Sequence, residues 1–145
     1  MSKFRGEITF VIKKTNELTS DEIDQINKLF NQVFDKSRTR EDFEKKFLNN
    51  FLEYSFHGLM ISEGIIYGCY HVIPYEFIIF SEKKIFGQSV DTTIHPDFRG
   101  NIYNLKKLAK VVYDELKKFN IFFVYGLPNK KFYLVKKKVL GWKDL

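Results

Sequence analysis

The residues from Ser89 to Asn104, SVDTTIHPDFRGNIYN, hold the densest chemistry in the chain. A β-rich run ends at Ile94, Pro96 removes a ladder donor, and a tight turn delivers Arg99, Gly100 and Asn101 to a helix start. Unpaired N–H groups and the positive end of the helix dipole then point at one spot, an anion site suited to phosphate or pyrophosphate. Gly100 lets the backbone approach an anion closely, and Arg99 can add charge. Asp91 alternates with Val90 and Thr92 and so is expected to face away from their side. Its carboxylate can take a proton directly or through water, or it can hydrogen-bond a neighbouring loop. His95 precedes the proline, where a turn-stabilising role is expected.

Other reactive residues fit packing or solvation better than chemistry. Cys69 and His71 share one strand face at i, i+2, but a metal would need further ligands at suitable spacing, and none is found. No metal site is expected. Lys136, Lys137 and Lys138 form a run on the last helix, read either as a solvated face or as a contact for the nucleotide end of a cofactor.

The elements that must position these groups follow from periodicity. EITFVIK, residues 7–13, reads as a strand. Thr19 and Glu22 have capping-box spacing and open a helix with Ile23, Ile26, Leu29, Phe30, Val33 and Phe34 on one face. A second helix starts near Thr39 and buries Phe43, Phe47, Leu48 and Phe51. From His57 the period shortens. HGLMIS, IIYGCYHVI, YEFIIF and KKIFGQSVDTTI are short β-rich runs of an antiparallel meander, with turns at Glu63-Gly64 and Ser81-Glu82-Lys83. A helix spans about 102–119, with Leu105, Leu108, Val112 and Leu116 as its buried stripe. IFFVY at 121–125 reads as a central strand. Gly126-Leu127-Pro128-Asn129 breaks it, and a last helix carrying Phe132, Val135 and Val139 stops at Gly141. Residues 85–125 thus form a parallel crossover unit, with the helix start at the carboxyl end of a strand, where ligands usually bind.

Composition sets the outer limits. The 145 residues suit one domain, and 44% apolar residues with sixteen Phe and eight Tyr supply an aromatic core. No apolar run reaches the roughly 18 residues of a membrane span, and no secretion signal opens the chain. A single Cys makes a reducing cytoplasm the default location. The net charge of +6 suits nucleic acid, anionic lipid or a phosphate-rich cofactor, or is generic lysine enrichment, since 18 acidic residues accompany the 24 basic ones.

In these segments the sequence resembles the GNAT superfamily of N-acetyltransferases, especially members from bacterial surface-polysaccharide pathways. VDTTIHPDFRG resembles the fourth strand and pyrophosphate loop of that family, YGLPN and LGW its fifth strand and the turn after its fourth helix, and IIYGCYHVIPYEF its second-to-third strand hairpin. The resemblance runs in order over about residues 7–142. It implies an α/β (α+β) domain over residues 1–145, a mixed, mostly antiparallel sheet flanked by helices around a β-α-β acyl-CoA-binding unit.

The resemblance also implies a reaction. Acetyl-CoA is the acyl donor. Its pantetheine arm would pair with backbone near Thr93 and Ile94, and its pyrophosphate would lie on the N–H groups of Arg99, Gly100, Asn101, Ile102, Tyr103 and Asn104. Asn129 would touch the cofactor arm. A small amine such as an amino sugar would attack the thioester in a ternary complex, with Asp91 as base and an N–H near Ile94 polarising the carbonyl. Many relatives place a Tyr four residues before the last Gly as acid to the leaving thiolate. Lys137 stands there in this chain, with Tyr133 one turn earlier. The alternatives are a catalytically impaired GNAT-like module that binds CoA or a partner protein and, ranked last, a basic nucleic-acid-binding domain. Two more strands normally follow the last helix of the resembled fold. The domain is therefore expected to lack them, with strand 121–125 covered by a dimer partner, a completing chain or the rest of a longer enzyme.

Overall fold

The structure is a computed structural model that describes residues 6–128 and 130–144. Among the described residues five strands and four α-helices follow in chain order, besides 3₁₀ turns at Thr15–Glu17 and Pro96–Phe98: β1 (Ile8–Lys14), α1 (Ser20–Phe34), α2 (Arg40–Leu48), β2 (Phe56–Ser62), β3 (Ile65–Ile79), β4 (Glu82–Ile94), α3 (Ile102–Lys118), β5 (Val124–Tyr125) and α4 (Lys130–Leu140). The sheet runs β1-β2-β3-β4-β5, antiparallel except for the parallel β4–β5 pair. This is the mixed, mostly antiparallel sheet flanked by helices that the sequence implies.

Local rules account for the start of each early helix. Thr19 Oγ1 accepts from the Glu22 N–H at 3.1 Å, and Glu22 accepts from the Thr19 N–H at 2.9 Å. Thr39 and Asp42 repeat this reciprocal cap at α2. Ile23, Ile26 and Leu29 of α1 and Phe43 and Phe47 of α2 fill one core with Leu59, Ile66, Cys69 and Ile73. Leu48 and Phe51, expected in that stripe, stay exposed because α2 ends at Leu48. On the opposite face α3 sets Leu105, Leu108, Val112 and Leu116 against Phe56, Met60, Tyr70 and Val72. Gly58 permits this approach: a Cβ there would lie 2.5 Å from Val112 Cγ2.

Three elements differ from the pattern read off the sequence. The two runs flanking Pro74 are one strand, β3. Its pairing with β2 ends at Val72, so Pro74 withholds no donor from that side. The β3–β4 turn is Phe80–Ser81, both at positive φ, rather than Ser81–Lys83, since Ile79 already pairs Glu82. The expected central strand 121–125 is an edge with two paired residues. Ile121 is tucked under α3, its N–H bonded to the Leu116 carbonyl, while Phe122 is exposed.

Candidate active site

The site lies where β4 and β5 part. β5 pairs only with Gly87 and Gln88, so the β5-facing edge of β4 is open from Ser89 onward. A cavity of about 250 Å³ fills this wedge, lined by Phe34 of α1, Lys46 of α2, Ser89, Asp91 and Thr92 of β4, and Lys136 of α4. A second hollow of about 660 Å³ lies between α3, β5 and α4, and Lys136 borders both.

Asp91 sits on a bulge. Thr93 pairs Cys69 and Val90 pairs His71, so Asp91 and Thr92 together oppose Tyr70, and Asp91 takes a φ of 52°. The bulge breaks the alternation expected from sequence. Asp91 turns toward α1 and α2, the side on which Val90 packs, instead of away from it. Its Oδ2 meets Arg38 Nη1 at 3.0 Å and Lys46 Nζ at 2.7 Å. Arg38 is itself fixed by Asn27 at 2.7 Å and lies 3.8 Å over the Phe30 ring. Burial, against the pull of Asp91, lowers the Arg38 pKa. Sequence periodicity gave no sign of this three-residue constellation, because Arg38 and Lys46 come from a loop and a helix remote from β4.

Thr93 and Ile94 are buried, and their side chains point away from the wedge cavity: Thr93 Oγ1 donates to the Asp91 carbonyl at 2.8 Å, and Ile94 packs in the α3 core. Only their backbone is left to serve a ligand. Thr92, singled out by no sequence signal, has a buried hydroxyl without a partner among the described residues and lines the cavity.

The turn to α3 is shaped for an anion. His95 Nδ1 accepts from the Asp97 N–H at 3.2 Å and starts a short 3₁₀ turn, the role expected for it. Arg99 Nε donates to the Ile94 carbonyl at 2.9 Å, tying the loop to the strand end. Asn101 caps α3 through Tyr103 N, and Asn104 is buried, donating to the Phe98 carbonyl. The N–H groups of Gly100, Asn101 and Ile102 find no acceptor among the described residues, and the side chains of Ile102 and Tyr103 are exposed. A Cβ on Gly100 would meet nothing within 4 Å, so the fold itself does not need glycine there. These residues fit a pyrophosphate. Asn129, the expected contact to the cofactor arm, lies outside the described residues.

The lysine run of α4 divides. Lys137 and Tyr133 face outward and share Asp144, at 3.0 and 2.7 Å. Lys136 is only 5% exposed and donates to Ser89 Oγ at 3.1 Å, so it does not belong to a solvated face. Burial lowers its pKa to about 8. The Tyr70 hydroxyl lies 2.7 Å from that of Tyr113, and Trp142 Nε1 donates to Tyr113 at 3.1 Å. Cys69 and His71 are core residues. Burial pushes the Cys69 thiol up to about 12, and His71 Nδ1 lies 2.7 Å from His57 Nδ1.

The splayed parallel pair, the β4 bulge and the turn into α3 together make an open wedge at one edge of a mixed α/β sheet. The sequence matches the acetyltransferase (GNAT) domain family over residues 14–138, and the chain belongs to that family. Solved structures of similar fold include an acetyltransferase from Trypanosoma brucei, with 11% identity, a TM-score of 0.70, and 96% of this chain and 94% of that one covered. Another is an acetyltransferase from Clostridium acetobutylicum solved with acetyl-CoA, with 19% identity, a TM-score of 0.68 and coverage of 94% and 92%. A third is glucosamine-6-phosphate N-acetyltransferase from Arabidopsis thaliana, with 22% identity, a TM-score of 0.69 and coverage of 94% and 93%. No curated protein matches the sequence significantly. No helix among the described residues is long and apolar enough to cross a membrane.

Proposed function

We propose that this chain transfers an acetyl group from acetyl-CoA to a small amine, such as an amino sugar, by direct attack in a ternary complex. The wedge carries this reading: an open β4 edge from Ser89 onward leads to three unpartnered amides at Gly100–Ile102. The pantetheine arm would lie along β4 toward Thr93 and Ile94, with the pyrophosphate on the N–H groups of Gly100, Asn101 and Ile102, since those of Arg99, Tyr103 and Asn104 already bond Pro96 and Asn101. The thioester carbonyl would meet β4 amides between the bulge and Ile94, where developing negative charge is stabilised. Asp91, lining the cavity, would take the amine proton directly or through water. Both cations bind its Oδ2, which leaves Oδ1 to accept that proton.

Binding without catalysis is the second reading, favoured by Tyr133 and Lys137 being engaged with Asp144 on the surface. Thiol release with a panel of amines separates the two. Calorimetry with acetyl-CoA tests the site itself. Gly100→Val should weaken binding by about 1–3 kcal/mol by blocking backbone approach. The space above Gly100 is open, so the fold should be unharmed. Equal affinity for acetyl-CoA in wild type and variant would move the pyrophosphate elsewhere.

A further inference from the structure

The point where β4 and β5 separate is occupied by a cation. Lys136 Nζ bonds Ser89 Oγ, the side chain of the first β4 residue beyond the β5 pairing, and lies 4.4 Å from the centre of the Trp142 ring and 6.0 Å from that of Tyr70. Ser89 of β4, Tyr70 of β3, Tyr113 of α3 and Trp142 surround it, and Lys46 of α2 and Asp91 of β4 line the same cavity. None is a carboxylate within ion-pair reach. Asp91 is bound to Arg38 and Lys46, and Asp144 is taken by the outward-facing Lys137. A buried lysine held by one neutral hydroxyl and aromatic faces costs stability, and methionine would fill the same volume without that cost. Packing therefore does not account for it.

We propose that Lys136 is a catalytic residue: its ammonium gives a proton to the sulfur that leaves when the acyl group is transferred. The inference rests on the acetyl-CoA reading above. The neutral amine nitrogen forms a bond to the thioester carbon and gives up a proton to Asp91, directly or through water, and the carbon–sulfur bond breaks with its electron pair on sulfur. That pair takes the proton from Lys136 Nζ, leaving a neutral amine and a free thiol. Solvent at the mouth of the wedge returns the proton once the product has left. Burial brings the lysine to about 8, near the roughly 8.5 of an ordinary thiol, so the transfer is close to balanced. The aromatic faces hold the cation without neutralising it, as a carboxylate would.

The test compares wild type with Lys136→Met, Lys136→Gln and Lys136→Arg. Two readouts are taken: kcat for thiol release from acetyl-CoA, and ionisation of the thiol of bound CoA followed by thiolate absorbance. Met and Gln should leave acetyl-CoA affinity within about threefold, lower kcat about 100-fold or more, and raise the ionisation of the bound thiol by about one pH unit. Arg should keep the thiol readily ionised yet restore little rate, since a guanidinium does not release its proton. Using both Met and Gln guards against one of them failing to fold. Full kcat with an unshifted thiol in either variant overturns the role, as does an acetyl group found on Lys136 by intact mass. Failure of the wild type to bind acetyl-CoA overturns the functional reading and this role with it. Binding and turnover by the wild type leave the variants to decide Lys136 alone.

Discussion

Both sides of β4 bury polar groups, but only the histidines toward β2 close into a chain of hydrogen bonds; Arg38 Nη2 beside Asp91 and Thr92 Oγ1 have no partner among the described residues. Toward β2 and α2, His57 and His71 face each other Nδ1 to Nδ1, one ring donating and the other accepting. His57 Nε2 lies 2.7 Å from Thr15 Oγ1, which in turn bonds Ser55. Phe43 and Phe47 seal this chain of bonds from water. In the wedge toward β5, among the described residues, Thr92 has no partner and Lys136 has a single hydroxyl. A closed network contributes to stability and to a unique core. An open one is a stability cost retained where a ligand completes it. The contrast supports the proposed site on the wedge side of the sheet.

The most disruptive way to break this contrast is Asp91→Asn, which joins the two regions through Arg38. Arg38 is buried, so loss of its charged partner should cost about 3 kcal/mol of stability by denaturant titration. If Asp91 is also the base, kcat should fall about 100-fold and its pH profile should change. A full rate with an unchanged profile, measured where the variant is still folded, would leave Asp91 a purely positioning residue.

Acid sharpens the difference next. Burial holds His57 well below the ordinary 6.5, helped by repulsion from His71 and Arg38, and burial with Arg38 and Lys46 does the same for His71. Both folded values are depressed, so the unfolded chain takes up protons that the folded one refuses. Stability is present above pH 6.5 and is lost as pH falls below it, by up to about 1.4 kcal/mol per pH unit for each histidine. Lys136 has the same sign in another window: between about 8 and 10.5 stability should rise with pH, because the folded lysine has already given up its proton. Thermal unfolding across both windows checks the pair. A flat profile near pH 6 would mean that the histidines are not sealed.

The smallest expected effect is also the most selective. Thr92→Val removes a hydroxyl that bonds nothing among the described residues, so stability should change by less than about 1 kcal/mol and in the favourable direction. Affinity for acetyl-CoA or for the amine should drop if that hydroxyl serves a ligand. A variant clearly less stable than wild type would show that Thr92 is satisfied after all.

Much of this was legible from the chain alone. The Thr19–Glu22 cap, the start of α2 near Thr39, the stripes of α1 and α3, the Glu63-Gly64 turn and the strand–turn–helix around Gly100 are set by contacts within a few residues, and sequence spacing reports such contacts directly. The resemblance to the family rests on short segments too, IIYGCYHVIPYEF, VDTTIHPDFRG, YGLPN and LGW, and the fold agrees with it.

Tertiary structure decided what spacing cannot encode. The bulge at Asp91 rotates one carboxylate toward two cations from α1–α2, and a single inserted residue leaves no mark on an alternating pattern. The run Lys136–Lys138 reads as uniform charge, yet the helical twist sends Lys137 to solvent and Lys136 into the wedge. The apolar run 121–125 has the composition of a buried strand, but β5 peels from β4 after two pairs, where Gly126 meets Trp142. In each case the deciding partner lies tens of residues away. The sequence by itself determined the helices and most strands, and it pointed to the turn before α3 as the place for an anion. Only their packing decided which polar groups are closed off and which remain open for chemistry, because solvation and charge pairing depend on neighbours in space.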